Sequence, residues 1–420
     1  MRGCSPCRSL GCLSRAIWRR SKQGENRFEN KSWKAVINLT KRRIVPGQTI
    51  GIIGGGQLGR MMAIAAREMG FRIAVLDPTP DSPCGQVADV EITAPYHDLD
   101  AIAELARVSD VITYEFENID ARALEWLVEN AYAPQGSRLL AVTQDRALEK
   151  AAIVEAGLPV APYAEVNERD ELEEAVRGIG FPCVLKTRRG GYDGKGQYVL
   201  RGEGDVAKAA ELLHLGPCIL EGWVPFVKEI SVIVTRNGDG ETAVFPVAEN
   251  IHVENILHQT IAPARIPQHI EQRAVRYAKT LAASFSLVGT LAVEMFLTGD
   301  GDIYINELAP RPHNSGHYTI NACATSQFAQ HIRAVCNWPL GSTELLKPAV
   351  MVNILGEHVE PVVRQIDAFA GAVYVHLYGK HEAKPKRKIG HVTVLADDVD
   401  EALARVESWQ IWQDRRLERV

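Results

Sequence analysis

Two glutamates in the second half of the chain have the spacing of a metal-binding pair. In TLAVEMFLTGDGDIYINELAPRPHNSGH, Glu294 ends a strand-like run, GDGD makes a turn, and Glu307 lies on the return strand beside Asn306. Carboxylates that face each other across a hairpin suit a magnesium ion whose coordination is completed by nucleotide phosphates. A pair of glycosidase carboxylates is an alternative, but it leaves the glycine-rich hairpin upstream without a role.

That hairpin, FPCVLKTRRGGYDGKGQYVL, carries groups that fit phosphates. A strand is predicted to end at Lys186, and a second strand spans residues 197–200. The loop between them contains Gly190, Gly191, Gly194 and Gly196. Backbone N–H groups of such a loop can fold over phosphates, and the lysine adds a positive charge. It is not a P-loop, because no G-x-x-x-x-G-K-[ST] opens a helix; a merely flexible hairpin is the other interpretation.

A dense polar segment follows the second glutamate. It contains Arg311, His313, Asn314, Ser315 and His317 after a Pro-x-Pro turn. Polar loops at strand ends often carry function, and an arginine there can fork onto a small oxyanion. Either histidine can serve catalysis or simply donate to a backbone carbonyl, and the sequence leaves both interpretations open.

An earlier stretch, IGIIGGGQLGRMMAIAAREMGFRIAVLD, fits a dinucleotide-binding turn. Gly54, Gly56 and Gly59 stand at the G-x-G-x-x-G positions, and the second strand ends in Asp77. An acid there can hold a ribose hydroxyl, while the glycines let the backbone approach a phosphate at a helix N-terminus. The same turn receives many phosphate-bearing ligands, so a nicotinamide-dependent dehydrogenase is one hypothesis among several.

The elements that position these residues are predicted from the hydrophobic pattern. From residue 48, strands (50–53, 72–76, 111–113) alternate with helices (57–69, 98–107, 121–130), which indicates a doubly wound parallel sheet. Glu115 and Glu117 follow the third of these strands, at the edge where ligands bind. A helix is predicted at about 143–156, then mixed strands and helices, then a strand-rich segment from 349.

Composition describes an ordinary soluble protein with an unusual beginning. The 420 residues are 46% hydrophobic and 24% charged, and no apolar run is long enough to span a bilayer. Residues 1–46 hold 12 Lys/Arg against 2 Asp/Glu, which leaves 35 of the 47 basic and 50 of the 52 acidic residues to the body. An acidic body argues against nucleic-acid binding. The leader holds three cysteines with a single C-x-x-C, which is weak evidence for zinc, and the other five have no motif spacing, which favours a reducing, cytoplasmic location.

Together these motifs resemble the ATP-grasp ligases, over nearly the whole chain from about residue 48. The resemblance rests on GGGQLGRM, YEFENI, DRALEK, LKTRRGGYDGKGQ, EGWVPFVKEISVI, INELAPRPHNSGH and KRKIGH. It implies an α/β and α+β protein with a Rossmann-like pre-ATP-grasp domain (47–142), an ATP-grasp domain (143–347) and a small β-rich C-terminal subdomain (348–420). The basic leader (1–46) has no counterpart in the family, and its composition predicts a disordered extension. An organelle-targeting segment, a basic arm and translated sequence upstream of the natural start are the alternatives for it.

The resemblance also implies a nucleotide site. ATP is a co-substrate in this family, gripped between two small sheets, with Mg²⁺ or Mn²⁺ bound by Glu294 and Glu307; Lys186 and Arg311 are the implied catalytic residues. The implied ATP contacts are Arg146, Lys186, Gly191, Tyr192, Asp193, Gly194, Lys195, Gly196, Gln197, Glu221, Gly222, Trp223, Val224, Glu229, His252, Asn306 and Glu307.

Within the family the chain is most similar to ligases that carboxylate 5-aminoimidazole ribonucleotide with bicarbonate in purine biosynthesis. The first domain then binds this ribonucleotide rather than a nicotinamide. The implied contacts are Gln57, Leu58, Asp77, Glu115, Asn314, Ser315, Lys380, Arg387 and Lys388, and Lys386 stands where the family usually has a glycine.

The resemblance further implies a cytoplasmic homodimer that acts before a separate mutase, with no nucleic-acid or membrane partner. Three alternatives remain at this point. They are an ATP-grasp ligase that uses formate or an amino acid, a dehydrogenase, and a nucleotide-binding module without catalysis.

Overall fold

The computed structural model describes residues 42–191 and 194–412. The predictions for residues 1–41 and for Tyr192 and Asp193 therefore lie outside the described residues. Strands in the described part form three sheets of four, nine and four strands. None of its helices is long and apolar enough to cross a membrane.

The first unit is the predicted doubly wound sheet, with parallel strands in the order β3-β2-β1-β4. Its elements are β1 (Thr49–Ile53), α1 (Gln57–Glu68), β2 (Arg72–Asp77), β3 (Val90–Thr93), α2 (Leu99–Val108), β4 (Val111–Tyr114) and α3 (Ala121–Asn130). Asp98 and Asp120 cap α2 and α3 by accepting backbone N–H bonds of the first turn, as aspartates at this position commonly do. The short edge strand β3 was not predicted, so Glu115 follows the fourth strand and not the third.

Residues 42–46, which the sequence assigned to the leader, pack onto this unit. Ile44 is fully buried in the core between α1 and a helix of the next unit. Its N–H donates to the carbonyl of Cys336 (3.1 Å), and its carbonyl accepts from Trp338 Nε1 (2.6 Å). The hydrophobic start of the folded body therefore lies a few residues before the predicted boundary.

The second unit holds two antiparallel sheets. Its elements are α4 (Arg138–Thr143), α5 (Arg146–Glu155), β5 (Tyr163–Val166), α6 (Arg169–Ile179), β6 (Cys183–Thr187), β7 (Gln197–Leu200), α7 (Val206–Ala209), β8 (Cys218–Gly222), β9 (Phe226–Arg236), β10 (Thr242–Val244), β11 (Ala248–Val253), β12 (Ile256–Ala262), α8 (Gln268–Ser284), β13 (Gly289–Thr298), β14 (Ile303–Ala309), α9 (Thr319–Ala322) and α10 (Gln327–Val335). The helix predicted at about 143–156 is α5, which begins three residues later than predicted because Asp145 is extended and caps the helix with its side chain. The short helix α4 before it was not predicted.

The third unit, predicted to be rich in strands, contains β15 (Ala349–Leu355), α11 (Val359–Arg364), β16 (Val373–Leu377), β17 (Lys388–Leu395) and α12 (Val399–Ser408). Its strands continue the large sheet of the second unit, whose order is β14-β13-β9-β11-β12-β15-β17-β16 with β10 paired to β9. The small sheet, β5-β8-β6-β7, stays separate. The predicted fold class is confirmed.

Candidate active site

The predicted carboxylate pair exists. Glu294 and Glu307 are directly opposite each other in the antiparallel register of β13 and β14. The expectation that Glu294 ends its strand is wrong, because β13 continues four residues further. Burial and the neighbouring charge of Glu307 raise the pKa of Glu294 to about 8, which marks a place that favours an added cation.

The donor set fits magnesium. The Oδ1 atom of Asn306 is buried and has no hydrogen-bond partner in the described part of the chain. Two carboxylates and an orphaned amide oxygen are the ligands that Mg²⁺ takes when nucleotide phosphates and water complete its shell. Within residues 42–191 and 194–412 no group of three or more His, Cys, Asp or Glu side chains is placed to hold a metal ion by itself.

The two glutamates have different neighbours. Arg146 NH1 lies 3.2 Å from Glu307 Oε2, and His313 Nε2 lies 3.2 Å from Glu294 Oε1. Burial and the nearby charge of Arg311 lower the pKa of His313 well below its usual value, so this histidine is neutral. Its Nδ1 accepts from the Ser315 N–H (3.3 Å), which leaves Nε2–H to donate to Glu294.

A buried carboxylate holds the predicted phosphate lysine. Glu221 Oε2 lies 3.0 Å from Lys186 Nζ and 3.5 Å from Lys150 Nζ. Burial opposes ionisation, but the two ammonium groups lower the pKa of Glu221 to about 2. Glu221 was predicted as an adenine contact; its carboxylate instead lies against Lys186, and an adenine contact of this segment stays a prediction.

The glycines between β6 and β7 adopt conformations that other residues rarely take. Gly190, Gly194 and Gly196 have φ values of 78°, 79° and 73°. A Cβ on Gly196 would lie 2.6 Å from Thr187 Oγ1. Arg146 NH2 donates to the Gly191 carbonyl (3.4 Å), so this loop lies over the predicted phosphate contacts.

The first glycine loop is filled by the protein itself. The Gly55 N–H donates to Asp77 Oδ2 (2.7 Å), and those of Gly56 and Gly59 donate to the two carboxylate oxygens of Glu115 (2.5 Å each). Asp77 Oδ2 also accepts from Tyr96 Oη (2.6 Å). These are the groups that a dinucleotide would need, so the structure leaves no phosphate or ribose position for a nicotinamide cofactor.

Arg311 presents its guanidinium as a fork. Its Nε and NH2 donate to the Oε2 and Oε1 atoms of Glu117 at 2.7 and 3.2 Å. Burial favours the protonated form of Glu117, but the charge and hydrogen bonds of Arg311 outweigh it and lower the pKa of Glu117, so this carboxylate is ionised. A planar carboxylate in the fork is close in shape and charge to bicarbonate, which makes the fork a suitable site for that anion.

The basic C-terminal segment reaches the first unit. Gln86 Nε2 donates to the Gly379 carbonyl (2.9 Å), and His381 Nε2 lies 3.0 Å from the Asp81 carbonyl. Lys380 Nζ donates to the Lys388 carbonyl (2.8 Å), and burial together with the charge of Arg387 lowers the pKa of Lys380 to about 8. The predicted phosphate contacts thus lie where the first and third units meet.

Comparison with known proteins identifies the family. The ribonucleotide synthetase preATP-grasp domain matches residues 47–144, the ATP-grasp domain matches 151–328, and the phosphoribosylaminoimidazole carboxylase C-terminal domain matches 349–405. The N5-carboxyaminoimidazole ribonucleotide synthase of Bacillus subtilis is 56% identical over 377 residues, covering 90% of this chain and 98% of the relative. The chain belongs to the N5-carboxyaminoimidazole ribonucleotide synthase family.

Solved structures agree. A crystal structure of an N5-carboxyaminoimidazole ribonucleotide synthetase in complex with ADP is 64% identical, covers 89% of this chain and 99% of its own, and superposes with a TM-score of 0.88. The Aspergillus clavatus N5-carboxyaminoimidazole synthase, solved in complex with ADP and 5-aminoimidazole ribonucleotide, is 32% identical. The match covers 89% of this chain and 99% of that one, with a TM-score of 0.82. The predicted ATP-grasp ligase class is confirmed.

Some predicted contacts of this family member have their side chains turned into the protein. Leu58, the second residue of α1, has its side chain buried in the core, so only its backbone can face a ligand. Ser315 is fully buried, where it accepts from Ser231 Oγ (2.9 Å). Asn314 has both amide atoms buried without a partner in the described residues, as expected of a side chain that awaits a ligand.

Two charged side chains at the site were not predicted. Glu149 and Lys150 of α5 are 2% and 1% exposed and contact the strand that carries Asn306 and Glu307. Both belong to the DRALEK segment, but charged residues in a helix usually face solvent. Only the fold shows that they are buried.

Proposed function

We propose that the enzyme uses ATP to carboxylate the exocyclic amine of 5-aminoimidazole ribonucleotide with bicarbonate. The products are N5-carboxyaminoimidazole ribonucleotide, ADP and phosphate. One observation carries the proposal. The Glu294–Glu307 pair adjoins Arg146 on one side and His313, beside the Arg311 fork, on the other. A nucleotide phosphate and a small oxyanion can thus meet at one pair of carboxylates.

The chemistry is a phosphoryl transfer followed by a carboxyl transfer. An oxygen of bicarbonate attacks the γ-phosphorus of ATP, and the bond from that phosphorus to the ADP oxygen breaks, which gives carboxyphosphate. The amine nitrogen then forms a bond to the carboxyl carbon, phosphate leaves, and the amine loses one proton. Both steps depend on positioning and on charge neutralisation more than on covalent chemistry by the protein.

The chain supplies those charges from several elements. Lys186 and Arg146 lie at the phosphates, and the fork of Arg311 orients bicarbonate in place of the Glu117 carboxylate. Mg²⁺, or Mn²⁺, would be held by Glu294, Glu307 and the orphaned Asn306 oxygen. When bound, the ion neutralises charge on the phosphate oxygens. The loop over residues 190–196 keeps water away, because carboxyphosphate hydrolyses readily.

The ribonucleotide lies against the first unit in this proposal. Its contacts are Gln57, Leu58, Asp77 and Glu115 at the filled loop, Asn314 and Ser315 at the polar segment, and Lys380, Arg387 and Lys388 at its phosphate. The relative from Aspergillus clavatus, solved with ADP and the same ribonucleotide, supports this choice of substrate. An acid such as Glu115 tied to backbone N–H groups presents a fixed edge to a ligand.

The wider setting is part of the proposal. The enzyme acts in the cytoplasm as a homodimer, and a separate mutase consumes its product. The five described cysteines are all buried free thiols, which supports a reducing compartment.

The decisive experiment measures ADP release from ATP and Mg²⁺, with and without the ribonucleotide and bicarbonate. We expect strong stimulation by the ribonucleotide and transfer of label from bicarbonate into an acid-labile product. If the rate of ATP turnover does not depend on the ribonucleotide, the ATP-grasp chemistry still holds but the carboxylated substrate is a different molecule. In that case the roles of Gln57, Glu115 and Arg387 would be withdrawn first.

A further inference from the structure

The strand that carries Asn306 and Glu307 has an irregular backbone. In the β13–β14 ladder Glu294 pairs with Glu307 and Met295 pairs with Ile305, so Asn306 is the extra residue of a β-bulge. β14 is also the edge strand of the large sheet. A bulge at an edge leaves backbone groups without ladder partners, and such groups must bond elsewhere if they are buried.

Two consecutive side chains of α5 take up those groups. Lys150 Nζ donates to the carbonyls of Asn306 (2.8 Å) and Ile305 (3.3 Å). Glu149 Oε1 accepts from the N–H of Leu308 (2.8 Å). The bonds lie on both sides of Glu307 along the chain, so the backbone of this predicted metal ligand is held before and after it.

Packing alone does not account for these residues. Lys150 is 1% exposed and Glu149 is 2% exposed, and burying a charged side chain costs more than burying an apolar one of similar size. Lys150 also lies 3.5 Å from Glu221 Oε2, the atom that binds Lys186. One buried ammonium therefore connects the bulge to the carboxylate that orients the phosphate lysine.

We propose that Glu149 and Lys150 are positioning residues that hold the bulge so that Asn306 and Glu307 face the metal–nucleotide complex. We name this pair the bulge clamp. The inference rests on the proposed function, since it assigns these ligands to a metal ion. It predicts that loss of the clamp weakens metal binding in the presence of ADP.

The test measures Mn²⁺ binding to the full chain with saturating ADP, from the electron paramagnetic resonance signal of free Mn²⁺. Lys150→Met keeps the length of the side chain and removes its donors, and Glu149→Met removes the acceptor. Both are expected to raise the Mn²⁺ dissociation constant by about 10-fold or more, as is common when partners of metal ligands are lost. Glu149→Gln keeps an oxygen for Leu308 and should stay within about 3-fold of wild type.

A destabilised variant in another part of the protein separates loss of positioning from a general loss of stability. Val362→Ala removes volume from the fully buried core of the third unit, so it should lower the melting temperature without changing Mn²⁺ binding. Equal Mn²⁺ affinity in wild type, Lys150→Met and Glu149→Met would overturn the clamp. If Lys150→Met does not fold, the contrast between Glu149→Met and Glu149→Gln decides. Failure of the wild type itself to bind Mn²⁺ with ADP would instead overturn the metal site.

Discussion

Two glycine-rich loops in this molecule have similar compositions and opposite surroundings. The loop at Gly54–Gly59 surrounds carboxylates, because its N–H groups donate to Asp77 and Glu115. Gly191 of the second loop lies beside a cation, since Arg146 donates to its carbonyl, and the loop follows the strand that carries Lys186. The first loop has an internal anion, whereas the second has positive groups suited to an external one.

Gly56 and Gly190 show two different reasons for glycine. In the first loop a Cβ on Gly56 would lie 2.5 Å from Glu115 Oε1, so glycine makes room for a neighbouring side chain. In the second loop Gly190 has a φ of 78° and no atom within 4 Å of its would-be Cβ, so glycine serves the backbone conformation. A glycine motif therefore indicates close approach or a special turn, and the ligand depends on what fills the space.

The largest effect is expected at the second loop. Lys186→Ala removes a positive charge at the phosphates and should lower kcat/KM for ATP by about 10²–10³, the usual cost of one charge-stabilising donor. Glu221 keeps Lys150 as a partner, so thermal unfolding should change little. Steady-state kinetics would check this, with Lys279→Ala on the exposed face of α8 as control. Unchanged kinetics would remove Lys186 from the site.

The second largest effect is expected when the carboxylate that fills the first loop is removed. Glu115→Ala leaves the part-buried N–H of Gly56 and the buried N–H of Gly59 without their acceptor, and the buried one alone costs about 1–3 kcal/mol in the free energy of unfolding. The KM for the ribonucleotide should rise while that for ATP stays the same. Glu115→Gln keeps one acceptor and should lose less, as urea denaturation of both variants would measure. A Glu115→Ala protein as stable as wild type would contradict the filled loop.

A smaller effect concerns the strand that delivers Glu115. His331 accepts the Thr290 N–H at Nδ1 (3.1 Å), and its Nε2 lies 2.8 Å from Thr113 Oγ1, two residues before Glu115. Burial lowers the pKa of His331 to about 3. Because the folded pKa lies below the unfolded one, its contribution is complete above pH 6.5 and is lost as the pH falls toward 3.

Wild type should therefore lose on the order of 2 kcal/mol through His331 alone between pH 7 and pH 5. His331→Gln offers an acceptor and a donor without titrating, so its free energy of unfolding should fall less over the same range. Urea denaturation at the two pH values would measure both slopes. If the free energy of unfolding falls equally in the variant and in wild type between pH 7 and pH 5, His331 is not the source of the pH dependence.

The smallest effect sharpens the contrast between the loops. Gly190→Ala meets no atom but forces alanine to a positive φ, at about 1–2 kcal/mol. Gly204→Ala also meets no atom, and its φ lies outside the left-handed region, so it should be neutral. Differential scanning calorimetry would compare them. Equal melting temperatures for the two variants would show that the 190 turn relaxes without cost.

The sequence predicted local features well and burial less well. The short turn between two strands predicted that Glu294 and Glu307 face each other, because such a turn sets the register of the hairpin. The edge strand at Val90–Thr93 was missed because four residues with an acid give a weak pattern, and the helix Arg138–Thr143 was missed because six residues are too few to show a helical period.

The contacts of Glu115, Glu117 and Lys150 could not be predicted from the sequence. Each depends on a partner more than 50 residues away in the chain, so no local pattern records it. Charged residues are mostly exposed, and a sequence pattern gives no reason to bury these. Their positions follow from packing between units.

The large sheet runs without a break from β14, which carries Glu307, to β17, which carries Lys388, through the pairing of β12 with β15. The metal carboxylates and the basic end therefore share one hydrogen-bonded frame, while Lys186 belongs to a different sheet. Any replacement for the third unit would have to match the register of β12, which pairs with β15 from Gln259 to Ala262. The spacing between the proposed metal site and the proposed ribonucleotide-phosphate site is therefore set by that sheet.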